Sequence, residues 1–430
     1  MGAVLMTCFA VLAIWGLPIA IVLGLSAFIA LWFCSLMPIT LVPQQMFTAV
    51  DSFPLLAIPL FMIAGALMEF GGISRRLIRL ANSMVGHLTG GLALVAIITC
   101  MFFAAISGSG PATVAAIGGI MIPAMQEAGY DKGYAAAVMA LAGAIGIIIP
   151  PSIPMVTFAV MSNVSISGLF TAGFFPGIVV GLSLMICAWW IAKKKGYGKQ
   201  EQTVKASAKE RIEAFKEAFW AILMPVIILG GIYGGIFTPT EAAAVGCFYG
   251  LLVGTVIYRE LKLKDIPKVL TNAAVTTAMI MLIIATAKVF GWIMTSERIP
   301  DAVARTMMSW SENKYVILLI INLMLLVVGC FMETNAALII LTPIFLPIVV
   351  ALGVNPIHFG IIMIVNLAIG MSTPPLGVNL FVACGINKIS IERISKAAVP
   401  FLIFNILALL LITYIEPISM ILPKLFGIGA

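Results

Sequence analysis

The sequence predicts an all-α, polytopic membrane protein built as an inverted repeat, with two re-entrant helical hairpins and two broken transmembrane helices. Three observations carry that reading. Of 430 residues, 62% are hydrophobic and 10% are charged, whereas about a quarter of a soluble chain is charged. Apolar stretches long enough to cross a bilayer recur from end to end. The chain also matches itself when slid by 224 residues. This composition excludes a soluble catalytic domain. The net charge of +7 sits in short inter-span loops such as Lys193, Lys194 and Lys195. That is positive-inside topology in a lipid bilayer, so no nucleic-acid partner is expected.

The first apolar run, Ala3 to Cys34, is too long for one straight crossing, and Gly16 and Pro18 should kink or split it. It lacks a basic start and a small-residue cleavage site, so it reads as a retained span. A span from about Phe53 to Phe70 ends in Arg75, Arg76 and Arg79, on the cytoplasmic side. The stretch from Gly91 to Met125 is interrupted by Ser107-Gly108-Ser109-Gly110-Pro111. Each arm of roughly 15 residues reaches only about 22 Å, which fits a re-entrant hairpin over 91–126. A broken helix over 133–161 follows, interrupted by Gly146, Pro150, Pro151 and Pro154, and then a span from Leu169 to Ala192.

These elements make a first repeat over 1–199. Residues 200–217 read as an amphipathic connector on the cytoplasmic surface, with Ile212, Phe215 and Phe219 on one side. The second repeat, 218–430, opens with spans at Ala218–Ile236, Ala242–Tyr258 and Thr271–Met294. A polar connector, Ser296 to Asn313, leads to a second hairpin over 315–352 with its break at Met332-Glu333-Thr334-Asn335. A broken helix over 357–386 and a last span to about Ile415 complete the chain.

The repeat is the strongest signal. With the 224-residue shift, Pro123 falls on Pro347, Gly129 on Gly353, Gly146 on Gly370, and Pro150-Pro151 on Pro374-Pro375. Asn163 falls on Asn387 and Pro176 on Pro400. Apolar matches would follow from composition alone, but prolines, glycines and an asparagine in one ungapped frame do not. The first hairpin begins on the cytoplasmic side and the second on the opposite side. Two halves of opposite orientation are the architecture of secondary transporters.

Backbone groups freed at membrane depth must face protein or a polar cavity. Carbonyls at half-helix C-termini and Ser, Thr and Asn oxygens suit Na⁺, and half-helix N-termini suit a carboxylate. One cation is expected at Ser107, Gly110, Pro150 and Ser152. A second is expected at Glu333, Thr334, Asn335, Thr373 and Gly377. Each tip should lie opposite its own break, with the substrate between the tips, contacted by Ser107, Ser109, Thr113, Ser152, Asn335, Ser372 and Asn379. The bland reading is that these small residues only allow close helix packing. Glu241, Lys288 and Glu333 are ionisable residues in or beside apolar segments, functional by default. Glu241 is also explained by helix capping, and Lys288 by snorkelling. Cysteines are scattered singly and there are two histidines, so neither a metal cluster nor an acid–base pair is indicated.

Several motifs resemble one family. Ile58-Pro59-Leu60-Phe61 with Ala64-Gly65 and Gly71-Gly72-Ile73, Ser107-Gly108-Ser109 with Pro111-Ala112-Thr113, and Ile149-Pro150-Pro151-Ser152 are similar to the large membrane subunit of tripartite ATP-independent periplasmic (TRAP) transporters. So are Gly129-Tyr130, Thr238-Pro239-Thr240-Glu241-Ala242-Ala243-Ala244 and Thr373-Pro374-Pro375-Gly377. The resemblance implies the ion-transporter superfamily fold, an elevator of scaffold plus transport domain, and transport of an organic acid (a C4-dicarboxylate or sialic acid) driven by sodium. It further implies a small four-helix membrane subunit and a periplasmic substrate-binding protein as partners, in the bacterial cytoplasmic (inner) membrane. A stand-alone carboxylate permease of the same superfamily, a channel and an intramembrane enzyme are the competing readings.

Overall fold

The computed structural model describes residues 1–34, 38–198, 205–311 and 313–428. Among them the regular structure is helical, and eight helices are long and apolar enough to cross a membrane. The chain is therefore a multi-pass membrane protein. Residues 200–204 of the expected connector lie outside the described residues.

The first apolar run splits as its glycine and proline require. Gly2–Ile14 ends near Gly16, whose φ of +76° is left-handed, and Ile19–Cys34 begins after Pro18 and packs back against it. At 13 and 16 residues, the two helices are about 20 and 24 Å long. The span expected from Phe53 starts with a short turn and continues as Ala57–Phe70. After Gly71-Gly72, the arginines lie on a separate helix, Ile73–Val85, which buries Ile73, Leu77, Leu80 and Ala81. Its other face is latched to its neighbours. Arg76 pairs with Glu260 at 2.7 Å and lies 3.8 Å from the Tyr258 ring centre, and Arg79 pairs with Glu217.

The connector differs from expectation. Ala208–Tyr233 is a single helix opened by a capping box between Ser207 and Glu210. The amphipathic turns from Ala208 to Glu217 are thus the first part of a spanning helix rather than a separate surface helix. The cap explains this: two otherwise orphaned N–H groups are satisfied at Ser207, and nothing stops the helix afterwards. A second capping box, Thr238 with Glu241, opens Pro239–Leu252, which accounts for Glu241. The polar connector before the second hairpin contains a helix, Ile299–Trp310, and Pro417–Leu425 follows the last span.

The repeat is present in the helix boundaries. The hairpin arms are Gly91–Ser107 with Gly110–Glu127, and Lys314–Phe331 with Thr334–Ala351. The broken helices are Lys132–Ala144 with Ile153–Ser162, and Pro356–Gly370 with Val378–Asn387. Pro150-Pro151 and Pro374-Pro375 are both cis, and Gly129 and Gly353 are both left-handed. Asp131 and Asn355 hold matching N-cap positions, accepting hydrogen bonds from Tyr134 N and Ile357 N. In each broken helix the first half is buried almost throughout, from Gly133 to Ala144 and from Ile357 to Gly370. Free backbone at membrane depth is thus enclosed by protein, the only place it is tolerated.

Candidate functional site

Each hairpin tip is shaped by what it must approach. Gly108 ends the first arm in the left-handed region, and a Cβ there would sit 3.0 Å from the Pro151 carbonyl oxygen. Glycine meets both demands. Ser107 Oγ accepts from Ser109 N at 3.2 Å and lies 3.1 Å from Thr113 Oγ1, which donates to Ser109 O at 2.7 Å. Gly146 presses against this tip, since its Cβ would stand 2.6 Å from Ser109 O and Thr113 Oγ1. At the second tip, Glu333 caps the arm that follows it. Its carboxylate accepts from Ala336 N at 3.1 Å and from Asn335 Nδ2 at 2.8 Å. Thr334 Oγ1 reaches Met371 Sδ at 2.9 Å.

Each tip meets its own break as expected, but it also meets the other repeat. Gly110 faces Asn379, whose amide atoms would stand 3.2 and 3.3 Å from a Cβ at that position. Asn335 Oδ1 accepts from Thr157 Oγ1 at 3.0 Å. Gly110–Glu127 packs on Val378–Asn387, and Thr334–Ala351 packs on Ile153–Ser162. The reading of one tip with one break is thus extended by a crosswise contact, in which each tip also packs on the break of the other repeat. The shared 3.6-residue periodicity of all these apolar helices gave no means of pairing them.

A cavity of about 700 Å³ lies at the junction. Ser107, Ser109, Gly110, Glu333, Thr334 and Asn335 line it. Thr113, Ser152, Ser372 and Asn379 do not; they are buried behind the tips. Pro150, Thr373 and Gly377 are also set back, and Ser152 and Thr373 hydroxyls turn onto Ile147 O and Ile369 O of their own breaks. The lining residues that sequence reasoning missed are Gly65, Glu69, Asn272, Thr276 and Met371. Glu69 was discoverable as an ionisable residue in an apolar span. Asn272 and Thr276, four apart on one helical face, were also visible as a polar pair. Lys288 is exposed and away from the cavity.

The first residues of four helices, Gly110, Ile153, Thr334 and Val378, all line this cavity. Helix N-termini present unpaired N–H groups and a partial positive charge, which favours an anion. No lysine, arginine or histidine is among the lining residues. Acceptors for a cation stand alongside. Ser372 Oγ donates to Ala140 O at 2.9 Å, so it can only accept from Asn379, and Asn379 Nδ2 gives it that bond at 3.1 Å. This fixes the amide orientation and leaves Asn379 Oδ1 buried with no hydrogen-bond partner among the described residues. A bare buried acceptor beside Gly110 is unfavourable by itself and fits a cation ligand.

Two hairpins and two broken helices whose N-termini converge on one cavity define a helical membrane transport protein. The chain belongs to the family described as tripartite ATP-independent periplasmic transporter, DctM component, whose model matches residues 6–418. It is 41% identical to the C4-dicarboxylate TRAP transporter large permease protein DctM of Rhodobacter capsulatus, covering 97% of each chain. It is 39% identical to the sialic acid large permease protein SiaM of Vibrio cholerae, over 95% or more of each chain. Identity reaches 51% with the isethionate TRAP transporter permease protein DctMQ of Oleidesulfovibrio alaskensis over 97% of this chain, which spans 65% of that relative's length. Among solved structures, the YdaH transporter of Alcanivorax borkumensis shares the fold at TM-score 0.63 and 14% identity, covering 96% of this chain and all of that one.

Proposed function

We propose that this protein is the large membrane subunit of a sodium-coupled TRAP transporter that imports an organic acid by an elevator movement. The acid is delivered by a periplasmic binding protein, and a small four-helix membrane subunit braces the scaffold in the bacterial inner membrane. The observation that carries the proposal is the convergence of four helix N-termini on one cavity that lacks cationic side chains. An acid bound there is held by backbone N–H groups, which cost no reorganisation. C4-dicarboxylate, sialic acid and isethionate in the names of relatives point to the acidic group as the common element.

Sodium supplies the positive charge that the side chains do not. The first site is formed by Ser107, Gly110, Pro150 and Ser152, with Asn379 Oδ1 added from the other repeat. The second is formed by Glu333, Thr334, Asn335, Thr373 and Gly377. Filling them orders the tips and so prepares the four N-termini for substrate. The hairpins and broken helices move as the transport domain against the scaffold. The test is uptake in proteoliposomes holding both membrane subunits with the binding protein present. Uptake should require inward Na⁺ and the binding protein. Undiminished uptake with K⁺ or choline in place of Na⁺ would contradict the coupling, and undiminished uptake without the binding protein would favour a stand-alone permease.

A further inference from the structure

The central cavity carries two carboxylates, and they are not alike. Glu333 is engaged in capping its own helix. Glu69 makes no ion pair or side-chain hydrogen bond among the described residues, although it lies in the last turn of Ala57–Phe70. A carboxylate there faces the negative end of the helix dipole, an adverse placement with no local compensation. Structural economy does not explain it.

Its position offers a reason. Glu69 lines the central cavity and also a smaller pocket of about 330 Å³ lined by Gly72, Ser74, Arg75, Ala116, Ile120 and Glu260. Both pockets reach the end of the helix that precedes Arg75, Arg76 and Arg79, the cytoplasmic side by charge pattern. In the smaller pocket Glu260 is neutralised by Arg76 at 2.7 Å, whereas Arg75 forms no ion pair among the described residues. The two pockets share Glu69, so a carboxylate without an ion pair stands between the central cavity and Arg75, which is likewise unpaired among the described residues.

We propose that Glu69 and Arg75 form a release path for the transported acid on the cytoplasmic side. The inference rests on the organic-acid reading above. Glu69 weakens the hold of the inward-open cavity on an anion, and Arg75 draws the departing anion away, so that the acid leaves more readily than it re-enters. This makes Glu69 a determinant of affinity on one side of the membrane.

The experiment is trans-inhibition in proteoliposomes of the full complex. Succinate, isethionate and N-acetylneuraminate are tried as labelled external acids, and the one imported by the wild type is then loaded inside. With Glu69→Gln, internal acid should inhibit uptake at about tenfold lower concentration relative to the external KM, because a charge that repels the bound anion has been removed. Glu69→Asp, which keeps the charge, should stay close to wild type. Arg75→Gln should strengthen internal inhibition, and all these differences should shrink at high ionic strength. The proposal fails if Glu69→Gln and Glu69→Asp behave alike, or if the Glu69→Gln shift is insensitive to salt. A wild type that imports none of the acids contradicts the transport reading, and the release path with it.

Discussion

At the scale of single residues, Asn379 is the most informative position. The sequence marks it as an expected substrate contact after a Thr-Pro-Pro break, with no hint of its partner in the other repeat. Its role comes from a hydrogen-bond count that needs Ser372, Ala140 and Gly110, residues far apart in the chain. Asn379→Leu keeps the branching of the side chain and removes the oxygen, together with the amide donor to Ser372. Losing one ligand to a charge is worth about 1.5–3 kcal/mol, so the Na⁺ concentration for half-maximal stabilisation should rise at least tenfold. A Na⁺ titration followed by tryptophan fluorescence checks this. Asp131 offers a second residue-scale prediction. Partial burial pushes its carboxyl up, but the Arg393 guanidinium and the Tyr134 and Gly133 N–H groups outweigh it and hold the carboxyl below the usual range. Stability from this pair is therefore in place above the ordinary carboxylate value and is lost as pH falls through the lowered one. The 2.7 Å pair is partly exposed, so it is worth about 0.2–1 kcal/mol. Asp131→Asn, which preserves the cap, should lower the melting temperature slightly at neutral pH; the difference should begin to shrink below about pH 4 and vanish only once pH has fallen past the lowered value.

At the scale of elements, much of the plan was legible in the sequence. Pro150-Pro151 and Pro374-Pro375 announced both breaks, because proline removes a donor and cannot continue a helix interior. Ser107-Gly108-Ser109 announced the first tip. What stayed hidden were the amphipathic pieces: Ile73–Val85 is marked only by its arginines, Ile299–Trp310 lies within a stretch that reads as a polar connector, and Pro417–Leu425 lies past the last assigned span. The matched glycines also acquired distinct meanings. Gly146 admits the first tip, while Gly370 lies against Gly329 of the second hairpin, where a Cβ would stand 2.5 Å from Gly329 Cα. In lipid, helix association depends on such close approach. Gly370→Ala should destabilise the second half by about 1–3 kcal/mol, the usual range for overpacking, whereas Gly385→Ala, with open space around it, should be silent. Thermal unfolding in detergent distinguishes the two.

At the scale of the whole molecule, sequence reasoning found two halves and four interruptions but not how the halves interlock. Pairing each tip with the break of the other repeat is a tertiary fact: each hairpin's second arm packs on the second half-helix of the other repeat. On the proposed function, this arrangement would couple the cation and substrate sites. A ligand ordering one tip fixes a surface on which the other repeat rests. The most direct measurement of this claim is the melting temperature of the purified subunit in NaCl and in choline chloride at equal ionic strength. A ligand that binds only the folded state stabilises it by about 2.7 kcal/mol at a hundred times its Kd. The account predicts a melting temperature that climbs with the logarithm of Na⁺ concentration and does not climb with choline. Identical melting curves in the two salts would contradict it.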